Sequence, residues 1–267
     1  ETRLRAFLGG AVVGYAAEEG SANLTIVTRS DDLNAVSERV LAHELVHVLQ
    51  DQHFDLSRPR YRRSTIDGEW GKDGLIEGEA SYIDYLYGKE CISNWSCTRP
   101  PSDWSGASVP GGIGAFGVLA SQPYEDGASF VHERYEAGGW DAVDAAHQDP
   151  PTTTEQIIHL DQEREPVPLT DPDRSTEDWE ITHTNTFGEA GMFTMFVAHR
   201  GQVPDGKEVL DRTPHEREAD WDTLDFDYEA TAGWGNDNFR AYRNGDRHGY
   251  TWTSVWDSER DAKQFAG

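Results

Sequence analysis

Lysine is almost missing from this chain. It occurs only at Lys72, Lys89, Lys207 and Lys263, so arginine makes up most of the 23 basic residues that stand against 49 aspartates and glutamates. The formal net charge of −26 excludes nucleic acid and anionic membrane surfaces as natural partners, because both would be repelled. An acidic, lysine-poor surface holds water and hydrated cations, and salt relieves its self-repulsion. This composition points to a halophilic protein, with acidity that serves solubility alone as the alternative. Long apolar runs are missing too: residues 6–17 are interrupted by glycines and Tyr15 and fall well short of the roughly 20 residues that cross a bilayer. The chain opens on Glu1, which leaves room for a signal peptide, lipid anchor or pro-segment ahead of it. Cysteine is limited to Cys91 and Cys97 in a stretch with Ser, Asn and Trp. A local disulfide is expected there and would place the protein outside the cytoplasm, at the cell surface or beyond; a pair of reduced thiols is the alternative.

Against these shortages stands one dense motif, His43-Glu44-Leu45-Val46-His47, an H-E-x-x-H pattern inside a helical hydrophobic periodicity. Histidines at i and i+4 lie one turn apart on the same side of a helix, so their ring nitrogens can meet on one metal ion. Glu44 then points beside the metal, where a general base takes a proton from a zinc-bound water. Val36, Val40, His43 and His47 share one stripe at spacings of four, three and four. Two imidazoles on an apolar, inward-facing stripe are costly unless something satisfies them, and a metal does so.

A length of 267 residues suits one domain, or two lobes around a shared cleft. The expected organisation is a single domain over 1–267, with an N-terminal lobe to about 105 and a C-terminal lobe from about 118. Residues 24–28 read as a strand, and Ser30, Asp31 and Asp32 supply a cap for a helix over about 32–52 that carries the motif. The strand would form the rim of a cleft, where an extended peptide adds by backbone hydrogen bonds. Further helices are expected over 72–87, ending near Gly88, then over 124–137 before Gly138-Gly139, and over 141–146. Thr152 and Glu155 form a capping-box pattern opening a helical turn that carries His159. Residues 186–200 read as an apolar helix with both methionines in the core. A hairpin around Asn244-Gly245 spans 239–256, and a closing helix spans 258–265. Residues 106–117, rich in glycine, read as a loop between the lobes.

H-E-x-x-H followed by a helix with Glu77-Gly78-Glu79-Ala80 resembles the gluzincin group of zinc peptidases. That resemblance implies a zincin-like fold with Glu77, the glutamate opening the second motif, as third zinc ligand. The separation of His47 and Glu77 is longer than in thermolysin, which implies an insertion between the two helices. Residues 43–56 (HELVHVLQDQHFDL), Gly138-Gly139-Trp140, residues 150–159 (PPTTTEQIIH) and residues 252–265 also resemble neutral zinc metallopeptidases of archaea and bacteria, secreted or carried as lipoproteins. The fold class implied is α+β, predominantly helical, with a small N-terminal sheet, the active-site helix and a helical C-terminal lobe.

From the residues alone, the third ligand has three candidates: Glu77, Glu79 and His53. His53 has the spacing of a third metzincin histidine, but Gln50 stands where that motif needs a glycine. A continuing helix turns His53 well off the His43/His47 face at about 100° per residue. Glu77 and Glu79, two apart, cannot both face the metal, and the resemblance selects Glu77. Asp51 and Asp84 are candidate acceptors to orient a ligand. An oxyanion needs a donor; His159 is the first choice, ahead of His132, His183, Tyr82 and Tyr135. Zinc is the expected cofactor and a protein or peptide the expected substrate of an endopeptidase. A zinc-dependent amidase acting on a non-protein amide and a metal-binding protein without catalysis are the alternatives, the latter disfavoured by Glu44.

Overall fold

The computed structural model describes residues 14–16, 24–26, 35–93, 114–161, 163–170, 178–200 and 228–267. Helix α1 (Ala35–Phe54) runs through the H-E-x-x-H motif and past Gln50 without a break. Val46, Gln50 and Phe54, four residues apart, are buried, whereas Leu45 and Leu49 are exposed, so one helical stripe faces inward. Strands β1 (Gly14–Ala16) and β2 (Leu24–Ile26) pair antiparallel and lie against α1. The cap expected at residues 30–32 lies outside the described residues, as do Cys97 and most of the loop expected at 106–117.

After a 3-10 turn (Pro59–Tyr61), helix α2 (Ile66–Ser93) begins earlier than expected and continues through Gly88, which carries the backbone of Cys91 into a helix. Helix α3 (Gly114–Gly138) is also longer than the sequence suggests and contains Pro123. The two helices cross at near backbone contact. A Cβ on Gly78 would lie 2.2 Å from the carbonyl carbon of Gly127, and a Cβ on Gly127 would lie 2.2 Å from the carbonyl oxygen of Gly74. Glycine inside a helix costs about 1 kcal/mol relative to alanine; the contact that it permits across the crossing offsets this by dispersion.

Helices α4 (Trp140–Gln148) and α5 (Thr154–Ile158) close over this pair. Leu75, Tyr82, Phe130, Val131, Val143, Ala146 and Ile157 form the core between them. The capping box of α5 uses Thr153 and Gln156, one residue later than expected, because Thr153 Oγ1 accepts the Gln156 N–H. Glu155 is instead buried against Arg164, 2.8 Å away. Helix α6 (Gly188–Arg200) packs Ala190, Phe193 and Val197 on Val118 of α3. Met192 is buried with them, but Met195 is exposed.

The C-terminal part is not purely helical. Strands β3 (Glu180–Asn185), β4 (Trp234–Asn244) and β5 (Arg247–Trp256) make an antiparallel sheet in that order, and helix α7 (Glu259–Ala266) follows with Ser258 as its cap. The expected hairpin turns at Asn244-Gly245, where Gly245 takes φ 59°. The described residues are thus α+β and mostly helical, and no helix among them is long and apolar enough to cross a membrane.

Two buried aspartates tie the sheet to the helices. Asp67 opens α2. The Ile66 N–H donates to Asn185 Oδ1 at 2.8 Å and the Asp67 N–H to the Thr186 carbonyl at 3.2 Å. Asp67 Oδ1 accepts from the Thr154 N–H and hydroxyl at 2.8 and 2.6 Å, and burial, with these bonds opposing it, pushes the carboxyl up to about 7. Asp237, on β4, accepts from the Phe187 and Gly188 N–H groups at the start of α6 and from the indoles of Trp234 and Trp252. Asp237→Asn would set an amide N–H against one of these donors. The expected cost is about 2 kcal/mol in urea unfolding; a variant as stable as the wild type would show the carboxylate is dispensable.

Candidate metal centre

Helices α1 and α2 pack so that His43 and His47, one turn apart, meet Glu77 across the interface. The Nε2 atoms of the histidines are 3.2 Å apart, and each lies 3.2 Å from Glu77 Oε2. The three atoms make an equilateral triangle. Ligands at about 2.0–2.1 Å from a tetrahedral zinc ion would be roughly 3.3–3.4 Å apart, so the triangle matches one face of that polyhedron. Among the described residues, no other set of three His, Cys, Asp or Glu side chains converges in this way.

Electrostatics tighten the same group. Burial alone would lower His47, but the hydrogen bond and charge of Glu77 outweigh it and raise the imidazole to about 9. Burial would raise Glu77, yet the two histidines hold it down to about 2. The Glu77 carboxylate thus favours the protonated form of His47. An arriving metal has to displace that proton. Metal affinity should accordingly rise with pH, by up to about tenfold per unit, until pH passes about 9. Zinc competition titrations between pH 6 and 9 check this, and a flat profile would contradict it.

Glu44 is buried beside the triangle, and its charge acts on both His47 and Tyr124. Tyr124, on α3, stacks on the His43 ring at 5.9 Å with the planes 25° apart. Its hydroxyl donates to Glu77. Desolvation of the hydroxyl first, then the Glu77 charge, push its pKa strongly upward although the residue as a whole is 43% exposed, so it stays a protonated donor. The sequence did not single out Tyr124. The one available signal was glycine at 74, 78 and 127, which lets α3 approach α2 closely enough to deliver a side chain one turn away.

The other candidates fall elsewhere. His53 is exposed at the end of α1, 3.8 Å from Asp144. Glu79 is buried and turned toward His147, 2.9 Å from its Nε2. His159 closes α5 and its Nε2 meets Glu189 of α6 at 2.9 Å. His183 lies beside Asn185 on β3, and His132, Tyr135 and Trp140 gather around Tyr82. These contacts are not with the ligand triangle. The acceptor for the Nδ1–H of His47 is Gln50, at 2.8 Å, whereas Asp51 accepts from the Leu56 N–H.

Residues 178–267 match the model of a family described as "Domain of unknown function (DUF8575)". That stretch holds β3 to β5, α6 and α7, and neither of the helices that carry the triangle. No curated protein and no solved structure matches the chain.

Proposed function

We propose that this chain is a zinc-dependent endopeptidase of zincin-like fold, in which His43, His47 and Glu77 hold the metal. The observation that supports it is the equilateral triangle of donor atoms with Glu44 and Tyr124 at its edge. Zinc, when bound, supplies a Lewis acid that polarises a carbonyl and acidifies a water. Glu44 would serve as the base, holding a proton from the attacking water and giving it to the leaving amine. The Tyr124 hydroxyl turns from Glu77 to donate to the substrate oxygen on which charge develops. Burial of Glu44 keeps competing solvent away from the proton it carries.

The acidic surface adds a salt requirement and suits an extracellular protein in a saline medium. Metal content and casein hydrolysis, both measured in molar and in dilute salt, test the reading together. The expected result is about one zinc per chain, casein cleavage abolished by a chelator, and a melting temperature that climbs with salt. Zinc without cleavage of any unfolded protein would favour an amidase of non-protein substrates. Full activity after exhaustive metal removal would end the metallopeptidase reading.

A further inference from the structure

Behind His47 runs a line of buried hydrogen bonds that the catalytic reading does not use. The Nδ1–H of His47 donates to Gln50 Oε1 at 2.8 Å. The Gln50 amide nitrogen donates both its hydrogens, to Glu79 Oε2 at 2.7 Å and to the Ile76 carbonyl at 2.9 Å. A flipped amide would set oxygen against two oxygens, so its orientation is determined. Glu79 Oε2 also accepts from Nε2 of His147 at 2.9 Å. His147 is fully buried, stacked on Phe54 at 4.0 Å with planes 8° apart, and its Nδ1 and carbonyl oxygen both meet the Tyr61 hydroxyl, at 3.0 and 3.1 Å. The line thus ties α1 to α2, then to α4 and the 3-10 turn.

We propose that Gln50, Glu79 and His147 form a positioning chain that locks His47 with Nδ1 protonated and Nε2 presented to the metal, so that metal affinity is set partly by residues that never touch the ion. The inference rests on the metal-centre reading and deepens it. An imidazole has two nitrogens, and the one that keeps its hydrogen is chosen by the acceptor it faces. Gln50 offers only oxygen to Nδ1, because Glu79 and Ile76 consume its donors. A buried carboxylate is costly, and hydrogen bonds from Gln50 and His147 compensate Glu79 for the water it has lost. Helix α4, through His147, thereby becomes part of the support of the centre.

The test uses the full chain stripped of metal, titrated with zinc against a competing chelator and with cobalt(II) for its visible spectrum. Gln50→Met keeps the length of the side chain but removes the acceptor. It should weaken zinc by about 10- to 100-fold and alter the cobalt spectrum. Glu79→Gln keeps an oxygen able to accept from Gln50 and His147, so its loss should stay below about tenfold with a wild-type spectrum. Thermal unfolding of the metal-free proteins separates packing from positioning: a purely structural Gln50 would lower the melting temperature and leave affinity and spectrum unchanged. Wild-type affinity and spectrum in folded Gln50→Met overturn the inference while leaving the metal centre standing. If that variant does not fold, unaltered affinity in folded Glu79→Leu, which breaks the line one step further out, overturns it equally. A wild-type chain that binds neither ion removes the centre and this inference together.

Discussion

Glu77→Ala should lose the metal and the activity together. Glu77 supplies one vertex of the donor triangle and the negative charge that both histidines face. Without it, two neutral imidazoles are left to hold the cation with no anionic ligand to balance its charge, and the neighbouring carboxylates on α2 are engaged elsewhere, Asp73 with Lys72 and Glu79 with Gln50 and His147. The drop in affinity should exceed the roughly 100-fold that follows loss of an outer hydrogen-bond partner. Glu44→Gln should behave differently. The amide preserves shape and is not a vertex of the triangle, so metal stays bound, while turnover falls by about 10²- to 10⁴-fold for want of a base. His53→Ala should change neither, since that ring is exposed beside Asp144. Metal content by elemental analysis and casein hydrolysis on the same preparations decide the matter. Wild-type zinc content in Glu77→Ala would refute the assignment of the third ligand.

Gly127→Ala should be among the most damaging single methyl additions in the described residues. Its Cβ would fall 2.2 Å from the Gly74 carbonyl oxygen, and the obstacle is backbone, which cannot rotate aside as a side chain can. Helices α2 and α3 would have to move apart by more than about an ångström, opening the core around Leu75, Phe130 and Ile157. A loss of at least about 3 kcal/mol in denaturant unfolding is expected, at the upper end for overpacking. Zinc binding should weaken as well, because Glu77 and Tyr124 both sit within one turn of the crossing. Gly249→Ala is the control: its Cβ would meet only Trp179 at 3.7 Å, ordinary contact, and stability should stay within about 0.5 kcal/mol. Equal stability in the two variants would show that the seam between α2 and α3 is not close-packed.

The period of an α-helix made His43, Glu44 and His47 legible, because they lie on one element and a spacing of four needs no tertiary knowledge. Glu77 was legible only through resemblance, since periodicity left Glu79 and His53 as alternatives. Gln50 was read for the glycine it is not, and its use depends on what α2 and α4 bring to it. Tyr124 was illegible because its partners lie on other helices. Strand β3 was missed for a related reason: five of its six residues are exposed, so it lacks the apolar alternation that marks a half-buried strand. At α5 the pattern of a hydroxyl three residues before a carboxylate or amide fits both Thr152/Glu155 and Thr153/Gln156. Only the local backbone decides between them.

The start of α2 borrows its acceptors from far along the chain, Asn185 for the Ile66 N–H and the Thr186 carbonyl for that of Asp67. The sequence boundary at residue 178, where the family match begins, therefore does not coincide with a seam in the hydrogen bonding. A chain divided there would leave the helix that carries Glu77 with raw N–H groups at its opening turn. It would also leave the first turn of α6 in the other fragment without Thr154, whose hydroxyl oxygen accepts the Ala190 N–H. Ile66, Asp67 and Thr154 on one side of that boundary and Asn185, Thr186 and Ala190 on the other thus satisfy one another's hydrogen-bonding groups, and a cut between them would leave those groups to solvent.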